Sequence, residues 1–163
     1  MTFFSYFELR EDLISRYPES IGELRLLDRI ANEERTQAPV SIRVNPDIDP
    51  KTHPYISTGL KGNKFGIGHR EALDAYRLAK SLPNLKIVGI DCHIGSQITE
   101  LSPYQDALGR ILDLIEVIEE GGINIHHIDF GGGLGIDYSG QSVPTAEELW
   151  RSLLEIIDRR GHG

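Results

Sequence analysis

The chain has 163 residues, a formal net charge of −8 and 39% hydrophobic residues. That is enough for one domain with a core, and acidic residues spread over helix faces leave no clustered Lys and Arg for nucleic acid or an anionic membrane. One cysteine, Cys92, excludes an internal disulfide, no run reaches membrane-spanning length, and the aromatic start Met1 to Phe7 meets Glu8, Arg10, Glu11 and Asp12 too soon for a secretion signal, so a cytoplasmic protein with a small-molecule partner is expected.

The first helical signal is Ser20 with Glu23 three residues on, a capping pair, followed by Leu24, Leu27 and Ile30 on one side. Val40, Ile42 and Val44 then alternate with Ser41, Arg43 and Asn45, which predicts a strand over Val40 to Asn45 with one apolar face. A long loop rich in Pro, Gly, Thr and Asn runs from Pro46 to Gly68, and loops of that length are functional or disordered. The next helix places Ala72, Tyr76 and Ala79 on one face before Ser81-Leu-Pro83 ends it.

Lys86 to Cys92 reads as a second strand. Ser102-Pro103 supplies a cap and a first-turn proline for a helix whose stripe is Leu108, Ile111, Leu112, Ile115 and Ile118, stopped by Gly121-Gly122. The third strand is Ile123 to Phe130, and Thr145 with Glu148 opens a last helix with Leu149, Leu153, Ile156 and Ile157 inside. Strand, loop and helix repeat with crossovers long enough to demand parallel strands. Asn45, His93 and Gly131 all fall at or past the C-terminal ends of strands, the rim where barrels assemble chemistry. We therefore expect an incomplete (β/α)8 TIM-barrel segment of about three to four βα units with parallel strands adjacent in chain order and helices on one outer face. Gly131-Gly-Gly-Leu-Gly135 reads on into Ile136, so the glycine that G-x-G-x-x-G requires is missing and a dinucleotide fold is disfavoured.

Two runs carry the functional signal: Asp91-Cys-His-Ile-Gly-Ser-Gln97 and Asp129-Phe-Gly-Gly-Gly-Leu-Gly-Ile-Asp-Tyr138. Gly131, Gly132 and Gly133 serve either as a tight turn or as a nest of N–H donors for a phosphate, and three consecutive glycines exceed what a turn needs. No Walker lysine follows them, which disfavours a nucleoside triphosphate. His93 is followed by Gly95, which permits close backbone approach, and by Ser96, whose hydroxyl can donate to an anion. Cys92 faces away from His93 on a strand and is expected to be a packed residue. His126 and His127 also face opposite ways and complete no metal-ligand spacing, so no metal is expected. Arg43 is either an interior ion-pair partner or a donor to a ligand. Asp129 and Asp137 flank the glycines, where a carboxylate either orients a donor or simply solvates the loop, and the second is expected for both.

Ser41-Ile-Arg-Val-Asn-Pro-Asp47, His53-Pro-Tyr-Ile-Ser-Thr-Gly-Leu60, Asn63-Lys-Phe-Gly-Ile67, Asp91 to Gln97 and Gly131 to Gly135, in that order, resemble the diaminopimelate decarboxylase family of barrel-class pyridoxal-phosphate enzymes. The resemblance implies a homodimeric lyase of lysine biosynthesis that takes a small amino acid, meso-2,6-diaminopimelate, and gives L-lysine with pyridoxal 5′-phosphate as cofactor. It also implies that His93 stacks on the pyridine ring, that Ser96 and Gly131, Gly132 and Gly133 bind the phosphate, that Arg43 lies inside the barrel near the cofactor, and that Gly59-Leu-Lys61 and Lys64-Phe-Gly66 shape the mouth. The family's cofactor-anchoring lysine stands in a Tyr-x-x-Lys-x-Asn context that none of Lys51, Lys61, Lys64, Lys80 and Lys86 matches, and its Glu-Pro-Gly-Arg and Cys-Glu-Ser runs are absent. The expected division is an unmatched segment over residues 1–18 and a partial cofactor-binding barrel domain over 19–163, a fragment inactive alone. The alternatives are a non-catalytic phosphate- or cofactor-binding barrel segment and a decarboxylase of another basic amino acid.

Overall fold

The computed structural model describes residues 17–48, 65–137 and 143–162. The aromatic start, His53 to Leu60, Lys51, Lys61, Lys64 and Tyr138 lie outside the described residues. In chain order the elements are α1 (Ile21–Glu33), β1 (Ala38–Asn45), β2 (Ile67–Gly68), α2 (His69–Ser81), β3 (Leu85–Asp91), α3 (Ser102–Glu120), β4 (His127–Asp129) and α4 (Ala146–Arg159). Among the described residues the strands form one parallel sheet in the order β2-β1-β3-β4. The three expected strands are therefore adjacent in chain order, and a two-residue β2 lies outside β1.

Burial follows the alternation along β1. Ala38, Val40, Ile42 and Val44 are all buried, under a layer to which α1 and α2 contribute by packing on β1 and β3. Tyr76 on α2 sends its hydroxyl to the Gly89 carbonyl at 2.9 Å, which pins helix to sheet inside the core. The α3 stripe of Leu108, Ile111, Leu112, Ile115 and Ile118 is wholly buried, and α3 packs on both α2 and α4. Each of these residues recurs at three- or four-residue spacing, so one helix face carries the burial.

Element ends follow local chemistry. Ser20 Oγ accepts the Glu23 N–H at 3.2 Å, but the Glu23 carboxylate reaches past it to the Glu19 N–H at 2.5 Å. Thr145 and Glu148 make the full reciprocal capping box. At α3 the expectation needs correction: Leu101 occupies the cap position and Ser102 is already helical, because the Leu101 carbonyl accepts from the N–H groups of Tyr104 and Gln105. Gly122, at φ 72°, takes the left-handed turn that ends the helix, and Lys80 Nζ donates to the Gly121 and Gly122 carbonyls at 2.9 and 3.2 Å. The third strand is shorter than Ile123 to Phe130 because β4 pairs only through Gly89↔His127, Ile90↔Ile128 and Asp91↔Asp129.

Candidate functional site

A register shift between Val40 and Ser41 sets the site. Ala38, Pro39 and Val40 pair with Leu85, Lys86 and Ile87, after which Ser41 pairs with Gly89, so Val88 is the extra residue of a bulge. Beyond it the register runs straight across three strands: Ser41, Gly89 and His127 form one row, and Arg43, Asp91 and Asp129 the next. In the first row Ser41 Oγ and His127 Nε2 share a 2.8 Å hydrogen bond directly over Gly89. In the second, Arg43 binds Glu19 at 2.5 Å and has Asp91 at 3.6 Å. The Arg43 N–H also donates to the Pro18 carbonyl at 3.0 Å, which holds Tyr17 to Glu19 against the polar row.

His93 and Gly131 follow the second row on their strands, and they touch. A Cβ on Gly131 would lie 2.7 Å from His93 Nδ1, and one on Gly133 would lie 1.9 Å from the Gly95 carbonyl oxygen. Both glycines have positive φ, 60° and 99°, so they are required by conformation and by space. The chains running away from β3 and β4 continue side by side: Cys92 N–H donates to Asp129, Ile98 N–H to Gly133 and Gly135 N–H to Ile98, each at 2.9 Å. Gln97, in the left-handed region at φ 57°, accepts the Ile136 N–H at 3.2 Å. Ser96 is exposed on the bend beside this pairing.

The middle glycine differs from its neighbours. Among the described residues, a Cβ on Gly132 would meet nothing within 4 Å. The Gly131 N–H is taken by Asp129 Oδ1 at 2.8 Å, whereas the N–H groups of Gly132 and Gly133 meet no acceptor among the described residues. Two adjacent N–H groups without an acceptor among the described residues, at a strand-end turn, suit an anionic oxygen. Tyr104, buried, closes the other side and sends its hydroxyl toward the Gly132 carbonyl at 3.4 Å.

Charge is arranged beneath this rim. Burial, then the neighbouring Asp129 carboxylate, pushes Asp91 from 3.8 up to about 6, against the pull of Arg43. Burial and the Arg43 charge lower His93 below its ordinary value, so a neutral imidazole faces the rim at pH 7. Burial raises the Cys92 thiol far above its ordinary range, in keeping with its expected role as a packed residue.

His93, Gly131, Gly132 and Gly133 thus meet on one rim with Ser96 on the bend between, and Arg43 lies one row below, engaged as an ion-pair partner. Asp129 corrects the expectation of a solvating residue, since one oxygen caps the glycine turn and the other accepts the Tyr17 hydroxyl at 3.0 Å. Tyr17, Glu19 and Gly89 carried no signal in the sequence, because their partners are distant in the chain. Of the lysines, Lys80 and Lys86 fall among the described residues, and both lie at the opposite end of the sheet, at the close of α2 and the start of β3.

A family model described as "Pyridoxal-dependent decarboxylase, pyridoxal binding domain" matches residues 15–162. The chain belongs to the pyridoxal-dependent decarboxylases. Within that family it is 53% identical over 137 residues to the diaminopimelate decarboxylase of Haemophilus influenzae, a match covering 84% of this chain and 33% of that protein. The Vibrio cholerae diaminopimelate decarboxylase is 52% identical over 86% of this chain and 34% of its own length. The chain therefore spans about a third of the length of the curated relatives it matches. Among solved structures, diaminopimelate decarboxylase from Helicobacter pylori complexed with L-lysine superposes with a TM-score of 0.80 at 38% identity, over 87% of this chain and 36% of that one. Lysine decarboxylase from Selenomonas ruminantium follows at 0.68 and 28% identity, over 88% and 35%. The parallel sheet is accordingly a segment of the barrel shared by these pyridoxal-dependent enzymes. No helix among the described residues is long and apolar enough to cross a membrane.

Proposed function

We propose that this chain supplies the ring-facing and phosphate-facing part of the pyridoxal 5′-phosphate site of a diaminopimelate decarboxylase, which converts meso-2,6-diaminopimelate to L-lysine and CO₂. The observation that carries it is the contact of His93 with the glycine turn at Gly131, where the next two N–H groups, of Gly132 and Gly133, have no acceptor among the described residues. Bound there, the cofactor supplies an electron sink for the pair left when the substrate carboxylate departs. The protein's own part is binding and orientation. His93 offers a flat, uncharged face to the ring, and Gly132 and Gly133 donate to the phosphate, joined by the Ser96 hydroxyl. The Gly131 N–H is held by Asp129 and serves the turn instead. Arg43, tied to Glu19 and Asp91, fixes the charge of the row below and helps keep His93 neutral.

The substrate is a small amino acid and the working assembly a homodimer, as the family resemblance implies, and the single cysteine, Cys92, suits a reducing cytoplasm. A second reading, a cofactor-binding segment without turnover of its own, is favoured for the isolated chain because the described lysines, Lys80 and Lys86, sit at the far end of the sheet from His93.

A chimera tests the proposal. Residues 19–162 replace the matched third of the Haemophilus relative, which restores the remainder of a barrel enzyme. The expected result is release of CO₂ and L-lysine from meso-2,6-diaminopimelate, lost on His93→Ala. A folded chimera that binds the cofactor and acts only on another amino acid would overturn the substrate, and one that is as active with His93→Ala would overturn the site.

A further inference from the structure

Asp129 joins two parts of the chain that the proposed chemistry does not use. Its Oδ1 accepts the Gly131 N–H two residues on, at 2.8 Å, and its Oδ2 accepts the Tyr17 hydroxyl, 112 residues away, at 3.0 Å. Gly131 is held at φ 60° with His93 Nδ1 against its Cα, so the direction in which the chain leaves Gly131 decides where the next two N–H groups point. Tyr17 is itself anchored through Pro18, whose carbonyl accepts from Arg43 in the centre of the sheet.

We infer that Asp129 is a positioning residue that sets the Gly131 to Gly133 turn with Gly132 and Gly133 facing an anion, and that the Tyr17 hydroxyl holds its second oxygen. The inference rests on the proposed reading of this rim as a phosphate site. A carboxylate two residues before a phosphate-binding turn is unfavourable by charge alone, so its value is geometric: with one oxygen tied by each donor, the carboxylate cannot swing toward the ligand or release the turn. Asn in its place keeps an oxygen for the Gly131 N–H and removes the charge. Ala removes both.

The test is a titration of the full chain with pyridoxine 5′-phosphate, which lacks the aldehyde and cannot react with surface lysines, and with pyridoxine, which lacks the phosphate. The unsubstituted chain binds the phosphate ester more tightly. Asp129→Ala reduces that preference about tenfold and Tyr17→Phe reduces it less, while Asp129→Asn keeps or raises it. In the ligand-free chain, Asp129→Ala also speeds hydrogen exchange of the Gly131 amide, and Asp129→Asn does not. An unsubstituted chain indifferent to the phosphate would defeat the cofactor reading and this inference together. A chain that prefers the phosphate but keeps that preference in Asp129→Ala would defeat the positioning role alone, as would loss in Asp129→Asn equal to that in Asp129→Ala. If Asp129→Ala fails to fold, Tyr17→Phe and Asp129→Asn decide: Tyr17→Phe with an unchanged preference sinks the inference.

Discussion

At Gly89 a Cβ would lie 2.6 Å from both His127 Nε2 and Ser41 Oγ, its neighbours in the same row of the sheet. Neither can retreat without breaking their shared hydrogen bond, so Gly89→Ala is expected to destabilise the fold by about 1–3 kcal/mol, measured by chemical denaturation. Gly132 is the contrast. A Cβ there meets nothing within 4 Å among the described residues, so Gly132→Ala is expected to leave stability within about 1 kcal/mol while weakening cofactor binding, whereas Gly133→Ala, at φ 99° against the Gly95 carbonyl, loses both. The glycines and His93 were legible as a motif because their chemistry is contiguous in sequence. At Asp129 the favoured reading was the wrong one of two, since an Asp two residues before a Gly is common and the Tyr17 hydroxyl that it accepts lies 112 residues away in the chain. Asp91 gives a pH test. Its raised value means that the folded state holds the proton more tightly than the unfolded one, so the stability it contributes is full below about 3.8 and is lost as pH rises through about 6. Allowing for the solvent that reaches this carboxylate, the loss is about 2 kcal/mol. His93 shifts the other way and adds an opposite slope at the upper end of that window, so the comparison is by difference: Asp91→Asn should gain on the unsubstituted chain between pH 4 and 6 by about that amount. No change in the difference across that window would contradict the raised value.

Helix starts were the easiest elements to read, because capping is a short-range exchange between a hydroxyl and an N–H three residues on. Ser20 and Thr145 both cap as their sequences suggest. Ser20→Ala is expected to cost about 1 kcal/mol and to fray the first turn of α1, seen as faster amide exchange at Glu23. Strand register was not legible. Alternation along Val40 to Asn45 gives the buried face, but the bulge at Val88 has no signature in the apolar run around it, and that bulge is what brings Gly89, Asp91 and His93 onto the face of Ser41 and Arg43. The start of α3 was misplaced by one residue for a related reason: Ser102 is a good cap by type, yet its hydroxyl turns to the Glu100 carboxylate and the Leu101 carbonyl starts the helix.

At the scale of the whole molecule, the described sheet has four parallel strands with the helical layer packed on its apolar face and a polar row on the other, whereas a closed barrel of this class needs eight. The class of fold followed from the repeated crossover. The added strand β2 did not, since two residues leave no periodicity to read. Turnover depends on groups beyond those gathered at this rim, so the 163-residue polypeptide is expected to release no CO₂ from meso-2,6-diaminopimelate by itself. Steady release, abolished by replacing one of its lysines, would show that an anchoring lysine had been missed.

If one rim of this sheet holds the phosphate and ring of the cofactor, amide NMR of the chain titrated with pyridoxine 5′-phosphate, which cannot condense with lysines, locates that site. The largest shifts should fall on His93, Ser96, Gly132 and Gly133, with Lys80 and Lys86 at the far end of the sheet unmoved. Saturable shifts centred on that far end, or none at the glycine turn, would contradict it.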